Sequence, residues 1–167
     1  MRRLAVVGAL LVVLSPAAEA RSVARYDLGV SVTGPATFRA LRQQLVPFTV
    51  RVVNLGPGPS AANASILLTG RISHTSGTGG QGNIYLTQAT GYHCITAVTT
   101  GCSVPRLAPN QSYRFTVKAE WRAADVQQYG RRRPLYLVVG ADINTIACGS
   151  QETNCDNNTG AVYVRAR

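Results

Sequence analysis

Hydrophobic and polar residues alternate with a period of two along much of the chain, and the longest such run covers residues 113–122. The apolar positions from Tyr113 to Trp121 would share one face of a strand. The polar or charged positions from Arg114 to Arg122 would share the other face. Ten residues of this period predict a half-buried antiparallel strand.

Other segments give weaker versions of the same signal. Residues 46–54 repeat the alternation, and residues 135–143 are more continuously apolar, which suits a central strand covered on both faces. Shorter strands are predicted at residues 26–33, 64–69, 83–87 and 160–165. The inward positions of these strands predict a core of Val46, Phe48, Val50, Val52, Ile66, Leu68, Phe115, Val117, Trp121, Leu135, Leu137, Val139, Val162 and Val164.

Glycine and proline separate the predicted strands, as expected of turns. Residues 73–82 are rich in Gly, Ser and Thr and predict one long polar loop. Residues 123–129 are the only helix-like piece and predict about one turn. About seven strands with turns between them indicate an all-β Greek-key β-sandwich.

The first twenty residues differ from the rest and have the layout of a secretory signal. Arg2 and Arg3 precede eleven apolar or small residues, and Ala18 and Ala20 supply the small side chains that a signal peptidase reads. A membrane anchor is the alternative, but eleven residues make a helix of only about 16 Å. We expect cleavage after Ala20, a single domain over residues 21–167, no membrane span in the mature chain, and a secreted or periplasmic location.

The cysteine pattern predicts disulfides. All four cysteines follow the predicted signal, and an even number in an exported chain is typical of disulfide bonding. Local pairing of Cys94 with Cys102 and of Cys148 with Cys155 is favoured over the two other pairings. A zinc site is the alternative, but the spacing lacks the short loops that zinc ligands use.

The chain is strongly basic, with a formal net charge of +10. Removal of residues 1–20 takes away two cations and one anion, which leaves +9. An Arg-rich patch is therefore a candidate site for an anionic ligand such as polysaccharide, lipid headgroups or nucleic acid. A solvated basic turn is the alternative. The predicted patch consists of Arg131, Arg132, Arg133, Arg114, Lys118 and Arg122.

An acidic, Asn-rich segment near the C-terminus is the candidate for a small ion. Carboxylate and amide oxygens are the ligands that Ca²⁺ takes, although no spacing here matches a known calcium loop. A network of turn hydrogen bonds is the interpretation that we favour, and no metal or cofactor is expected. The candidate calcium ligands are Asp142, Asn144, Glu152 and Asp156.

No combination of residues predicts catalysis. The two histidines, His74 and His93, lie in loop-like segments, and no nucleophile elbow or phosphate-binding loop accompanies them. The sequence therefore predicts a protein that is not an enzyme. A small secreted enzyme without a recognisable catalytic set is the alternative.

Four short motifs, in order, resemble a bacterial surface family. They are Asp27-Leu28-Gly29-Val30, then Asn54-Leu55-Gly56-Pro57, then residues 107–115, and last the acidic double-Asn segment 152–159 before the final strand. In this order they are similar to the repeat called domain of unknown function eleven and to the cell-adhesion-related domain CARDB.

The resemblance implies an immunoglobulin-like sandwich on or outside a bacterial cell, without a catalytic set. It implies a structural, adhesive or interaction role, with another protein or a cell-surface polymer as partner.

Overall fold

The alternating segments form strands that build two sheets facing each other across a common core. The computed structural model describes residues 25–62, 64–75, 82–87, 94–95, 99–144 and 151–167. Within these residues the strands are β1 (Leu28–Thr33), β2 (Thr37–Phe38), β3 (Gln44–Asn54), β4 (Ala64–Ser73), β5 (Gly82–Asn83), β6 (Tyr85–Thr87), β7 (Cys94–Ile95), β8 (Thr99–Val104), β9 (Ser112–Trp121), β10 (Tyr136–Asn144) and β11 (Thr159–Ala166). Helix α1 (Ala123–Tyr129) joins β9 to β10.

The strand order is that of an immunoglobulin-like β-sandwich. The four-stranded sheet has the order β1-β3-β9-β6, and the seven-stranded sheet has the order β2-β11-β10-β4-β8-β7 with β5 paired to β4. Only the short β2–β11 pair is parallel among the described strand pairs. Because β3, β9 and β10 pair with strands distant in sequence, the chain crosses repeatedly between the sheets, as in a Greek key.

The core contains the side chains that the alternation predicts, together with about as many others. Thirteen of the fourteen predicted side chains are buried, and Val162 is partly buried against them. Trp121 closes one end of the core, where its indole Nε1 donates to the Ala40 carbonyl at 3.0 Å and its ring meets Phe38 edge-on. Burial of this set supplies the main stabilisation of the sandwich.

The structure adds short strands that the pattern did not predict. β8 and β7 lie at one edge of the seven-stranded sheet, and the Cys94–Cys102 disulfide joins them at directly paired positions. β2 and β5 have only two residues each. α1 has seven residues and is therefore about two turns long, not one.

Two expectations fall wholly or partly on residues that are not described. The predicted signal, residues 1–20, lies outside the described residues. The two ends of the predicted loop 73–82 belong to strands, since Ser73 ends β4 and Gly82 begins β5. Residues 76–81 of that loop are also outside the described ranges.

Candidate functional site

Two arginines lie side by side on the outer face of the four-stranded sheet. Arg51 of β3 is paired with Arg114 of β9, and Ser31 of β1 is paired with Arg51 on the other side. Their neighbours in sequence, Val50 and Phe115, are buried. The period of two therefore turns both arginines outward, where both are exposed.

A depression of about 470 Å³ surrounds the pair, and hydroxyl side chains line the rest of it. Ser31 and Thr33 come from β1, and Thr49 comes from β3. Thr33 lies directly opposite Thr49 in the ladder. The surface thus offers two guanidinium groups and the hydroxyls of Ser31 and Thr49 as hydrogen-bond donors for an anion, while the Thr33 hydroxyl donates to the Thr49 carbonyl at 3.5 Å.

Neither arginine of the pair has an ion-pair partner among the described residues. Within the described part of the chain, the only ion pair joins Arg122 to Glu120, with 2.8 Å between Nη2 and Oε2. Glu120 lies six positions beyond Arg114 on β9, which is about 20 Å along the strand. Like charges directly opposite each other destabilise a sheet by roughly 0.2–1 kcal/mol. An anion bound between the two arginines would replace this repulsion with an attraction to both of them.

We name Arg51, Arg114, Ser31, Thr33 and Thr49 the arginine-pair site. Lys118 extends its positive charge, because it lies four positions after Arg114 on the same outer face of β9. Such a row of cations suits a ligand with repeated negative charges more than a single small anion.

The structure does not gather the six residues of the predicted basic patch in one place. Arg122 lies about 27 Å along β9 from Arg114. It pairs with Glu120 there, and its guanidinium carbon lies 3.8 Å from the centre of the Tyr85 ring. The hydrogen bond that Arg122 donates to the Glu120 carboxylate raises the pKa of Arg122 above its usual value. Arg122 therefore already has local partners.

The three consecutive arginines lie in the connection between α1 and β10. Arg131, Arg132 and Arg133 are all exposed. The guanidinium of Arg133 folds back onto this connection and donates to the carbonyls of Gly130 and Arg132 at 2.8 and 2.9 Å. The Arg133–Pro134 peptide bond is cis. This part of the patch is a separate surface from the arginine-pair site.

Sequence reasoning missed Arg51. Its position was visible in the alternation of residues 46–54, where it falls on the polar face. The missing information was the register that sets β3 against β9, since the pairing of Arg51 with Arg114 joins residues 63 positions apart.

The acidic segment performs an architectural task at Glu152. The side chain of Glu152 is buried, and its Oε1 accepts a hydrogen bond from the Leu28 backbone N–H at 2.9 Å. Tyr26 forms a parallel bridge with Glu152 and donates its backbone N–H to the Gln151 carbonyl. Burial, and next the charge of Glu152, raise the pKa of the Tyr26 phenol.

Two of the other candidate calcium ligands are exposed, whereas Glu152 is buried. Asp142 is exposed on the outer face of the seven-stranded sheet, and Asp156 is exposed in the turn before β11. The side chain of Asn144 is outside the described set. Among the residues that the structure describes, no three His, Cys, Asp or Glu side chains cluster as metal ligands would.

Asn157, within the same segment, bonds residues that are distant in sequence. Asn157 donates from Nδ2 to the Asp27 carboxylate at 2.7 Å, and its carbonyl accepts from the Val30 N–H. Residues 151–157 therefore fasten the start of β1 to the C-terminal part of the chain.

The structure contains one of the two predicted disulfides in full. Cys94 and Cys102 are joined by a 2.07 Å S–S bond. Cys155 is also disulfide-bonded, and its predicted partner, Cys148, lies outside the described residues. No free cysteine is present among the described residues.

His74 has a structural environment. Its Nδ1 lies 2.8 Å from the Pro134 carbonyl, and its ring is tilted against Tyr129 with 6.2 Å between centres. His93 is outside the described ranges. None of the described helices has the length and apolar character needed to cross a bilayer.

Comparison with known proteins gives structural matches only. No protein-family model matches the chain, and no curated protein matches it. The domain of unknown function eleven therefore stays a prediction.

Two solved structures of the CARDB domain of the PF1109 protein from Pyrococcus furiosus are similar to this chain. The crystal structure, a complex with di-metal ions, is 17% identical and covers 86% of this chain and 90% of that domain, with a TM-score of 0.48. The solution structure is 15% identical and covers 86% and 96%, also with a TM-score of 0.48. Both carry the family name, CARDB, that the sequence motifs suggested.

Proposed function

We propose that this protein is an exported, non-catalytic interaction module that binds an anionic polysaccharide with the outer face of its four-stranded sheet. The observation that supports this most strongly is the direct cross-strand pairing of Arg51 with Arg114, neither of which has an ion-pair partner in the part of the chain that the structure describes. A pairing that costs stability in the free protein is explained if a ligand neutralises it.

The chemistry of the arginine-pair site favours sulfate, phosphate or carboxylate groups. A guanidinium binds such groups with two parallel hydrogen bonds, and the hydroxyls of Ser31 and Thr49 add single donors around them. Recognition of single-stranded nucleic acid would use aromatic side chains beside the cations, on which bases stack. The lining of this depression consists of arginine, serine and threonine.

Export is supported by the signal-like residues 1–20 and by disulfide bonding. Disulfides persist in oxidising compartments outside the cytoplasm. The secreted protein should have an intact mass that begins at Arg21, with no thiol available for labelling. A chain that keeps Met1 and four free thiols would contradict the proposal of export.

The binding proposal predicts a specific loss in the double variant Arg51→Gln/Arg114→Gln. We expect its affinity for immobilised heparin, used as a sulfated probe, to fall at least tenfold, about 1.4 kcal/mol. The wild-type affinity should also weaken steeply between about 50 and 200 mM salt, because bound counterions are released. Surface plasmon resonance across this range measures both effects.

A matched control removes the same charge elsewhere. Arg131→Gln/Arg132→Gln also takes away two cations, from the exposed connection between α1 and β10. It should change the affinity less than threefold, because net charge alone is not the basis of binding. Equal losses of heparin affinity in the two double variants would refute the arginine-pair site. A larger loss in the control would show that heparin binds at the connection between α1 and β10.

A further inference from the structure

The outer face of the seven-stranded sheet carries a second depression, of about 390 Å³, on the opposite side of the sandwich from the arginine-pair site. Its floor is one cross-strand row made by Thr69, Gly140 and Ala161. These side chains are small, and a Cβ on Gly140 would lie only 3.0 Å from the Thr69 Oγ1. The floor is low because three neighbouring strands, β4, β10 and β11, each place a small residue in this row. We call this depression the notch.

The next row closes one end of the notch with a cation and an aromatic ring. Val138 points to the outer face and is nevertheless fully buried, since Arg71 and Tyr163 flank it in the ladder and cover it. The Nε of Arg71 is buried, and within the described part of the chain it has no hydrogen-bond partner. Nε itself is inaccessible to a ligand, but the side chain of Arg71 is only part-buried and lines the notch, so its other guanidinium N–H groups are the donors for a ligand acceptor.

The row on the other side closes the second end with a carboxylate and an apolar side chain. It consists of Leu67, Asp142 and Thr159. Leu67 is 44% exposed, and Asp142 has no ion-pair partner among the described residues. Four positions of β10 separate the two end rows, a distance of about 13 Å along the strand.

We infer that the notch binds a carboxylated sugar unit of the uronic-acid type. The guanidinium of Arg71 holds the sugar carboxylate, and Asp142 accepts hydrogen bonds from ring hydroxyls at the other end. Thr69 and Thr159 add hydroxyls between these charges, and Tyr163, Leu67 and Ala161 provide apolar surface for a ring face. A span of about 13 Å accommodates two linked sugar rings.

This inference does not rest on the polysaccharide proposal, since the notch shares no residue with the arginine-pair site. Each site can be tested, and can fail, while the other stands. If both hold, one module engages acidic carbohydrate on two opposite faces.

The test uses digalacturonate as the probe and backbone amide chemical shifts as the readout. Titration should shift amides of β4, β10 and β11 around the notch and saturate at millimolar concentration. The neutral disaccharide cellobiose should bind at least tenfold more weakly, because it lacks the carboxylates. Equal binding of the two disaccharides, or shifts confined to other surfaces, would overturn the inference.

Three variants assign the groups, and a fourth controls for an exchange of Arg for Lys elsewhere on the same face. Arg71→Lys keeps the charge but loses the two-pronged guanidinium, Asp142→Asn loses the carboxylate, and Ala161→Leu fills the floor from an exposed position. Each should weaken digalacturonate binding at least fivefold with the amide spectrum otherwise preserved. Arg165→Lys, on the same face of β11, should have no effect.

Two results would overturn the assignment of groups and ligand. One is that the single variants Ala161→Leu and Arg71→Lys both bind digalacturonate as tightly as the wild type does. The other is tighter binding of the zwitterionic dipeptide Gly-Gly than of digalacturonate, which would indicate a peptide site.

Discussion

At the scale of single residues, Asn54 shows how the chain satisfies a buried polar group at the end of a long strand. Its side chain is fully buried, yet all four hydrogen-bonding positions of the amide are used. Nδ2 donates to the carbonyls of Gly58 and Leu107 at 2.7 and 3.0 Å. Oδ1 accepts from the backbone N–H groups of Asp27 and Gly56 at 3.3 and 3.1 Å.

Asn54 therefore joins three separate turns, and its replacement should be costly. Asn54→Ala leaves two buried carbonyls and two N–H groups without these partners, so we expect a loss of about 3 kcal/mol in the free energy of unfolding. Urea unfolding followed by Trp121 fluorescence measures it. Asn83→Ala, at an exposed position of β5, should change the value by less than about 0.5 kcal/mol. Similar values for the two variants would contradict this role for Asn54.

Tyr26 gives a prediction for alkaline pH. Burial and the nearby Glu152 carboxylate raise the pKa of its phenol above the ordinary value of 10.0. The unfolded chain therefore loses this proton first as the pH rises. The stabilising contribution is complete below about pH 10 and is lost as the pH rises through the folded-state pKa.

The variant Tyr26→Phe has no phenol and should lack this step. Between about pH 9 and 11, the urea midpoint of the wild type should fall further than that of Tyr26→Phe. All other side chains are the same in the two proteins, so the difference between their urea midpoints isolates Tyr26. Parallel decline of the two midpoints would show that the Tyr26 phenol does not contribute.

At the scale of elements, the period of two predicted the long strands, and their inward positions identified 13 of the 28 described side chains that are buried in the core. β3 and β9 were accessible in this way because each combines length with burial of alternate side chains, whereas β10 was predicted from its continuous apolar run. β8 was not, since its sequence, Thr-Thr-Gly-Cys-Ser-Val, has little apolar alternation. β8 forms a strand because β4 supplies a complete set of backbone partners for it.

The site was harder to predict than the fold, because it depends on the register between strands. Arg114 was a candidate from its strand face alone, whereas Arg51 became one only when the register placed it opposite Arg114. The notch depends on three rows aligned across β4, β10 and β11. Periodicity determines which face a residue occupies, but only tertiary pairing determines its neighbours on that face.

The edge formed by β7 and β8 gives a prediction about the disulfide. Cys94 and Cys102 close a short loop, and in the chain-entropy model such a cross-link is worth about 2.5 kcal/mol. The double variant Cys94→Ala/Cys102→Ala should lose about this amount of unfolding free energy, as measured in urea without reductant. An unchanged urea midpoint would show that the bond does not stabilise the fold.

At the scale of the whole molecule, the two outer faces of the sandwich differ in charge distribution. The four-stranded sheet presents Arg51 and Arg114, neither of which has an ion-pair partner among the described residues, whereas the seven-stranded sheet presents Arg71 and Asp142 at opposite ends of the notch. The net charge of +10 would attract any polyanion at low salt. A specific site differs from this general attraction because the ligand binds at one defined place on the surface.

The most direct test of the central claim is therefore to map where an anionic polysaccharide binds. A heparin hexasaccharide titrated into the ¹⁵N-labelled protein, at about 150 mM salt to screen long-range attraction, reports the location through backbone amide shifts. We predict saturable shifts centred on Ser31, Thr33, Thr49, Arg51 and Arg114. Shifts centred on Arg131, Arg132 and Arg133, or small shifts spread over all basic surfaces, would contradict the account.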